Sequence, residues 1–145
     1  MNERERPSVR QATSADAAAI RLVVTRALLA GGFDAPDAER DPDLADISYY
    51  RQSGRGIWVA TLSEGRVVGC AALDRGDGEL ALLRRLAGRG LRSLTRTAIA
   101  FAQGRGYRGI ETVLPTAMAD ARRAVESEGF EPPGPHNDLL LRRAL

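Results

Sequence analysis

The chain has 145 residues, of which 43% are hydrophobic and 28% charged, a composition typical of one globular domain rather than a disordered chain. Its 21 basic residues, all arginine, are nearly balanced by 19 acidic residues, so the net charge of +2 argues against nucleic-acid binding through overall charge. The single cysteine, Cys70, excludes an internal disulfide framework, and no apolar run approaches the roughly 20 residues that cross a bilayer.

The first residues of the chain are mostly charged and lead into no apolar segment. This is not the pattern of a secretory signal, so we expect a cytoplasmic protein without a membrane partner. We expect residues 1–7 to be a disordered lead-in to a single domain over residues 8–145.

The first predicted elements are a strand over residues 8–12 and a helix after it. Thr13 and Asp16 have the spacing of a capping box, which marks the start of a helix. The helix carries apolar residues at i, i+3, i+4, i+7 and i+8 on one stripe, and Gly31-Gly32 ends it.

A loop and a short helix are predicted next. Residues 33–45 are rich in Asp and contain two prolines, which favours a loop. Residues 44–52 form a helix candidate that contains Tyr49 and Tyr50. This segment therefore links the first helix to the main strands of the domain.

The second half of the chain has the clearest strand signals, followed by two helices. Strands are predicted at 57–62, 66–73, 79–84, 110–114 and 139–141, and helices near 91–103 and at 117–128. The resulting order is β-α-α-β-β-β-α-β-α-β. It predicts an α/β domain, a mixed sheet with helices on both faces.

A glycine-rich turn, Gly88-Arg89-Gly90, lies between the strand at 79–84 and the helix that follows. Strand, turn and helix N-terminus together form an anion site, because backbone N–H groups and the helix dipole point toward the ligand. Glycine allows close approach of a pyrophosphate, and Arg89 and Arg92 can pair with its oxygens. The local pattern fits a plain strand-to-helix turn equally well.

The element order and several segments resemble the GNAT-type N-acetyltransferase superfamily over about residues 8–143. The matching segments are 9–20, 43–60, 65–73, with Gly65-Arg66-Val67-Val68-Gly69, 106–113, and 126–130, with Gly129-Phe130. No single motif is very specific, but their order and spacing together are. The resemblance implies the GNAT-like fold and transfer of an acetyl group from acetyl-CoA to a primary amine of a small molecule or peptide. A homodimer is a further expectation, because family members often pair.

The resemblance also implies where acetyl-CoA binds. Its pyrophosphate lies on the glycine-rich turn, and its pantetheine arm lies between the fourth and fifth strands, which splay apart. The implied cofactor-binding residues are Leu83, Arg85, Leu86, Gly88, Arg89, Gly90, Arg92 and Ser93.

The catalytic and substrate-binding expectations rest on fewer residues. Glu79 begins the fourth strand, where the family often carries a catalytic Glu, so it is the candidate general base; the alternative is a solvent-facing carboxylate at a strand end. Tyr49 and Tyr50 lie in the presumed acceptor-side helix and are candidates to line the substrate cleft, with core packing as the alternative for one of them. No metal site is expected, since His136 has no second ligand nearby in the sequence, and Cys70 has the surroundings of a buried apolar residue.

Three features depart from the family pattern. About five residues are missing between the fourth strand and the glycine turn, and Arg92 stands where a small residue is usual. Val125 stands where the family usually has the Tyr that protonates the leaving thiolate. These departures motivate an alternative function, a non-catalytic binding or regulatory module with impaired acetyl-CoA binding.

Overall fold

In the described part of the chain, six strands form one mixed sheet in which each strand lies beside its neighbours in sequence, in the order β1 to β6. The computed structural model describes residues 5–134 and 139–145. The strands are β1 (Ser8–Gln11), β2 (Gly56–Thr61), β3 (Val67–Arg75), β4 (Leu80–Gly88), β5 (Gly109–Val113) and β6 (Leu140–Ala144). The helices are α1 (Ala17–Ala30), α2 (Pro42–Ala45), α3 (Leu91–Gly104) and α4 (Ala119–Ser127), with short 3-10 turns at Ser14–Asp16 and Ile47–Arg51. The predicted element order is confirmed.

One strand pair differs from the others. β4 and β5 are parallel, whereas every other neighbouring pair is antiparallel. Parallel neighbours need a crossover connection, and α3 supplies it. The C-terminal ends of β4 and β5 therefore lie at the same edge of the sheet.

The ends of α1 follow from the signals in the sequence. The backbone N–H of Thr13 donates to Asp16 Oδ2 at 2.8 Å, and the guanidinium of Arg10 donates to the same carboxylate at 2.8 and 2.9 Å. At the other end, Gly32 has a φ of 83°, and the Phe33 N–H donates to Leu28 O at 2.8 Å. This hydrogen bond closes a Schellman-type C-cap and fixes where the chain leaves the helix.

Apolar side chains cover both faces of the sheet, as the strand patterns predicted. On β2, Ile57 and Val59 face α1 and α2, while Trp58 and Ala60 face the layer that contains α3 and α4. Cys70 is fully buried on the first of these faces, and burial raises the pKa of its thiol to about 12. A group buried in this way packs as a small apolar residue.

Several predicted elements have different bounds in the structure, among them the last strand, which extends to Ala144, and two of the differences have a clear local cause. β4 extends to Gly88 instead of ending at residue 84, because Gly88 and Ala87 continue to pair with β3. The helix predicted over 44–52 is divided at Asp46, whose carboxylate accepts the Ser48 N–H at 3.0 Å and starts a separate 3-10 turn.

Residues 5–134 and 139–145 include no helix with the length and apolarity that a bilayer crossing requires. Within the same residues, no three His, Cys, Asp or Glu side chains are grouped so that they could hold a metal ion. His136, and residues 1–4 of the expected lead-in, lie outside the described residues.

Candidate functional site

β4 and β5 diverge toward their C-terminal ends. They pair only where Leu80–Leu82 lies beside Gly109–Glu111. One residue farther along, a side chain joins the two strands in place of a backbone hydrogen bond, because the Thr112 hydroxyl donates to Leu83 O at 2.9 Å. Beyond it, β4 has no partner strand on this side and its backbone edge faces a gap.

A bulge bends β4 at the start of this gap. Cys70 pairs with Ala87 and Ala72 pairs with Arg84, so β4 has one more residue than β3 over this stretch. Arg85 has a φ of +58°, the one positive φ at a non-glycine residue in the described chain. A bulge of this kind kinks a strand and increases its twist, which turns β4 away from β5.

The bulge is held by the side chain of Arg85. Its Nε and Nη2 donate to the two oxygens of Asp43 at 3.0 and 2.8 Å, and Nη2 donates to Asp41 Oδ1 at 2.9 Å. Asp43 is only 4% exposed and also accepts the Tyr50 hydroxyl at 2.5 Å. Burial raises the pKa of Asp43, but the hydrogen bonds from Arg85 and Tyr50 outweigh it and hold the pKa below its usual value.

The gap opens into a large cleft, which we call the outer cleft. It has a volume of about 580 Å³ and lies between α1, the start of β3, the end of β4, and the starts of α3 and α4. Its lining residues on β4 and the following turn are Leu86, Ala87, Gly88 and Arg89. The start of α4 faces them across the cleft, with Met118 and Ala121.

A smaller cavity, the inner cavity, adjoins the outer cleft where β4 and β5 separate. It has a volume of about 170 Å³ and is lined by Val24, Ala27, Leu28, Phe33, Arg85, Leu86, Ala87, Val113, Leu114, Pro115 and Met118. Four of these residues, Ala27, Leu86, Ala87 and Met118, also line the outer cleft, so the two spaces share a boundary. Together they form one path from the surface to the β4 bulge.

The glycine turn at the outer cleft is a continuation of the sheet. The Arg89 N–H donates to Val68 O at 2.8 Å, so pairing with β3 persists into the turn. A Cβ on Gly69 would lie 1.9 Å from Arg89 O, and a Cβ on Gly88 would lie 2.2 Å from Val68 O. Only Arg89 and Gly90 separate β4 from α3, so the connection is as short as the sequence indicated.

The N-terminus of α3 begins directly after this turn. Gly90 is its N-cap with a φ of 73°, and the first intrahelical hydrogen bond runs from the Leu94 N–H to Gly90 O at 2.9 Å. No side chain caps the helix. The N–H groups of the first turn have no acceptor within the helix, and such groups at a helix N-terminus attract anions.

Three arginines line the outer cleft: Arg26 on α1, Arg66 before β3, and Arg89 in the turn. Arg66 lies 3.8 Å from Glu64, and Arg89 donates to Glu5 O at 3.0 Å. Asp120 is the one carboxylate among the described lining residues, and it forms an ion pair with Arg123. The cleft walls therefore carry net positive charge.

The residues predicted to bind the cofactor fall into two groups. Leu86, Gly88 and Arg89 line the outer cleft, and Arg85 and Leu86 line the inner cavity. The other four do not line either space: Leu83 is buried in the core, Gly90 packs against Pro7 and Ala60, Ser93 is exposed on α3, and Arg92 donates to Glu128 at 3.5 Å. Arg92 thus extends along α3 toward the end of α4 and leaves the outer cleft open.

The predicted catalytic and substrate-binding residues lie apart from the cleft. Glu79 is at the opposite end of β4, with its side chain 67% exposed and 3.0 Å from Arg108. Arg85 is six residue steps farther along the chain, or about 20 Å of extended strand. Tyr50 is buried against α1 and α2, whereas Tyr49 donates to Asp74 at 2.6 Å beneath the guanidinium of Arg55.

Most residues that line the two spaces were not among the predicted site residues, and Phe33 and Met118 are examples. Phe33 and Met118 both line the inner cavity, and a Cβ on Gly31 would lie 3.1 Å from Phe33 Cδ2 and 3.2 Å from Met118 Sδ. Phe33 was assigned to a loop, but an aromatic residue directly after Gly31-Gly32 is a signal for the C-cap that positions it.

No family model matches the sequence, and a search of curated proteins also finds no match. Solved structures do match. An acetyltransferase of the GNAT family from Staphylococcus aureus MU50 superposes with a TM-score of 0.81 at 18% identity, covering 96% of this chain and 99% of that one. A GNAT superfamily phosphinothricin acetyltransferase from Sinorhizobium meliloti, in complex with acetyl-CoA, has a TM-score of 0.76 at 20% identity, covering 96% and 88%. The protein yncA from Salmonella typhimurium, solved with its cofactor acetyl-CoA, has a TM-score of 0.75 at 18% identity, covering 97% and 94%. The chain has the GNAT acetyltransferase fold, which confirms the fold predicted from its sequence.

Proposed function

We propose that this chain, with its GNAT fold, is an N-acetyltransferase that moves an acetyl group from acetyl-CoA to a primary amine of a small molecule or peptide. One observation carries the proposal. A continuous path runs from the N-terminus of α3, through the outer cleft, to the gap between β4 and β5. The two similar structures that were solved with acetyl-CoA support the choice of cofactor.

The residues along this path fit the chemistry of acetyl-CoA. Its phosphates require cations and N–H donors, which Arg26, Arg66, Arg89 and the first turn of α3 supply. Its pantetheine amides require backbone partners, and the edge of β4 beyond Leu83, which pairs with no strand on this side among the described residues, supplies them. In this proposal Gly88 and Arg89 lie beside the phosphates, and Arg85 and Leu86 lie along the arm. The other four residues of the predicted cofactor set, Leu83, Gly90, Arg92 and Ser93, stay outside both spaces.

When bound, acetyl-CoA supplies the acetyl group as a thioester, whose C–S bond breaks as the amine nitrogen forms the new C–N bond and loses a proton. The chain's own contribution is to hold the reactants together along this path. In this proposal a backbone N–H group of β4, beyond the residues that pair with β5, would donate to the thioester carbonyl and polarise it.

Proton transfer is assigned to solvent. Among the described residues that line the inner cavity there is no Asp, Glu, His, Cys or Tyr, so the amine proton leaves through water in the outer cleft. Val125 is fully buried in the core and offers no proton to the thiolate. A thiol with a pKa near about 8.5 leaves without help at neutral pH.

We predict that acetyl-CoA at about 100 times its Kd stabilises the protein by about 2.7 kcal/mol, seen as a rise in Tm. A suitable amine should then release free CoA thiol at a saturable rate. Arg26→Ala should weaken acetyl-CoA binding about three- to fivefold, because it removes one exposed cation from the cleft.

Arg51→Ala is the matched control, since Arg51 is an exposed arginine outside both the outer cleft and the inner cavity. If acetyl-CoA leaves the Tm unchanged, the proposed function is wrong. Binding without thiol release across a broad amine panel would instead identify a non-catalytic binding module.

Glu79 gives a second prediction. Glu79→Gln should leave kcat and KM within about twofold of the parent, because the carboxylate is exposed and lies about 20 Å of strand from the bulge. Its ion pair with Arg108 is also exposed, so the loss of stability should stay below about 1 kcal/mol. Loss of turnover with unchanged stability would restore Glu79 as the general base.

A further inference from the structure

A third cavity lies at the opposite end of the sheet from the outer cleft, and we call it the arginine cavity. It has a volume of about 370 Å³ and lies between the turn before β2, the β3–β4 hairpin and the residues that follow α3. Gly78 in its lining precedes β4, whereas Gly88 in the outer cleft ends that strand. About 25 Å of strand separates the two spaces, so a ligand in the arginine cavity lies apart from the path proposed for acetyl-CoA.

Two arginines give this cavity its charge. Arg75 ends β3 and Arg105 follows α3, and both side chains line the cavity. Among the described residues, neither guanidinium forms an ion pair with a carboxylate, and no Asp or Glu lines the space. The two positive charges therefore face the same space without a counterion from the described chain.

The carboxylates nearest in the sequence are engaged elsewhere or are solvated. Asp74 accepts Arg55 Nε at 2.7 Å, and Glu79 lies 3.0 Å from Arg108. Asp77, in the hairpin turn, is exposed and is not part of the lining. None of these three carboxylates neutralises the cavity from within.

Arg75 is held in position before any ligand binds. Its Nε and Nη2 donate to Ser53 O at 3.1 and 2.6 Å, which leaves Nη1 for a ligand. The Tyr107 hydroxyl donates to Gly54 O at 2.7 Å on the same wall. A Cβ on Gly54 would lie 2.8 Å from Tyr107 Oη and 3.1 Å from Arg75 Nε, so glycine allows these polar groups to converge.

Arg105 contributes the second set of donors. Its Cζ lies 5.0 Å from the centre of the Phe101 ring, and this contact uses the face of the guanidinium rather than its N–H groups. The carbonyl groups at the end of α3 do not compete for an anion's place, because the Gly106 and Tyr107 N–H groups donate to two of them at 3.1 Å. Both arginines thus offer N–H donors to one ligand.

We propose that the arginine cavity binds a small phosphate monoester, about the size of a sugar phosphate. A phosphate monoester carries nearly two negative charges at pH 7, which matches two arginines, and the guanidinium fork fits phosphate oxygens. The carbonyl, hydroxyl and glycine backbone groups around it suit the hydroxyls of the ester body. The volume of about 370 Å³ lies at the small end of the range for small-molecule sites. The inference does not depend on acetyl transfer.

The test is a titration of the full chain, labelled with ¹⁵N, with ribose 5-phosphate. The amide signals of Gly54, Gly76 and Gly78 should shift in a saturable way with a Kd of about 1 mM or lower, the affinity that about two or three charge-assisted hydrogen bonds provide. Ribose, and potassium chloride at matched ionic strength, should leave these signals unchanged. Inorganic phosphate should bind more weakly, because it lacks the ester body.

Arg105→Gln should raise the Kd for ribose 5-phosphate at least about tenfold, the loss of one strong charge-assisted hydrogen bond. It should leave the affinity for acetyl-CoA unchanged and shift the Tm by only a few degrees, because it removes an exposed contact with Phe101. Arg51→Gln is the matched control, since Arg51 is an exposed arginine that does not line the arginine cavity, and it should change none of these quantities.

Four results would overturn the inference. The first is no saturable shift at the three glycines with ribose 5-phosphate up to about 10 mM, ten times the expected Kd. The second is a shift confined to the amides from Gly88 to Leu91, which would assign the phosphate to the start of α3. The third is an unchanged Kd in Arg105→Gln, and the fourth is equal affinity for inorganic phosphate, which would exclude an ester as the ligand.

Discussion

Arg85→Met is expected to lower the free energy of unfolding by about 3–5 kcal/mol, the usual cost of leaving one member of a buried ion pair uncompensated. The guanidinium supplies three hydrogen bonds to Asp41 and Asp43. Without it the buried carboxylate of Asp43 keeps the Tyr50 hydroxyl and a longer ion pair with Arg84 at 3.7 Å, so the loss should fall toward the lower end of this range. Methionine occupies a similar volume, so little of the loss comes from packing. Urea unfolding at neutral pH measures the difference.

Two further variants show whether charge is the cause. Arg142→Met removes an exposed arginine that pairs with Glu111, and it should cost no more than about 1 kcal/mol. Adding Asp43→Asn to Arg85→Met neutralises the orphaned carboxylate and should recover part of the stability. If the double variant is as unstable as the sum of the two single variants, the ion pair is not the source of the effect.

The same pair sets a dependence on pH. Burial raises the pKa of Asp43, but its hydrogen bonds lower the pKa by more than burial raises it. The folded-state pKa therefore lies below the unfolded one. The contribution of the pair is therefore complete above about pH 4, where an unfolded Asp is ionised, and is lost as the pH falls through the folded-state pKa. In Asp43→Asn, stability should decline less steeply below about pH 4.

Gly69→Ala is expected to cost about 3 kcal/mol or more, because the new Cβ would lie 1.9 Å from the carbonyl oxygen of Arg89. A backbone oxygen cannot rotate aside as a flexible side chain can, so the turn itself must move away from β3. That movement breaks the hydrogen bond from the Arg89 N–H to Val68 O and redirects the start of α3. Acetyl-CoA binding should therefore fall with stability.

Gly104→Ala is the matched control. Gly104 is the last residue of α3, and apart from its chain neighbours and the backbone of its own helix, no described atom lies within 4 Å of the position its Cβ would take. Alanine there should be neutral or stabilise slightly, by less than about 1 kcal/mol. A Gly69→Ala protein with parent stability and parent affinity for acetyl-CoA would show that the turn is not held as tightly as we infer.

The sequence was sufficient to predict the fold because the apolar pattern of each element matches the layer against which that element packs. The alternation from Ile57 to Ala60 supplies apolar residues to both faces of β2, so helices on both sides were expected. The Thr13–Asp16 capping box and Gly31-Gly32 fixed the ends of α1 to within a few residues. These signals depend on neighbours that are close in the chain.

The details of the candidate site depend on contacts that are distant in the chain. β4 is longer than predicted because Gly88 pairs with Gly69, and the bulge involves Arg85 with Asp41 and Asp43, more than 40 residues away. Neither partner can be read from a local pattern. The glycine turn was found correctly, but which of its neighbours face the cleft is decided by the direction in which β4 bends.

The hydrogen bond and close contact between the glycine turn and β3 affect the thermodynamics of ligand binding. A phosphate-binding turn that is a free loop must become ordered when its ligand arrives, and the ordering reduces the affinity. Here the hydrogen bond from Arg89 to Val68 and the close contact at Gly69 fix the turn before any ligand is present. The short connection therefore offers fewer residues to contact a ligand, but it is preorganised. Binding at this end of the cleft should cost little conformational entropy.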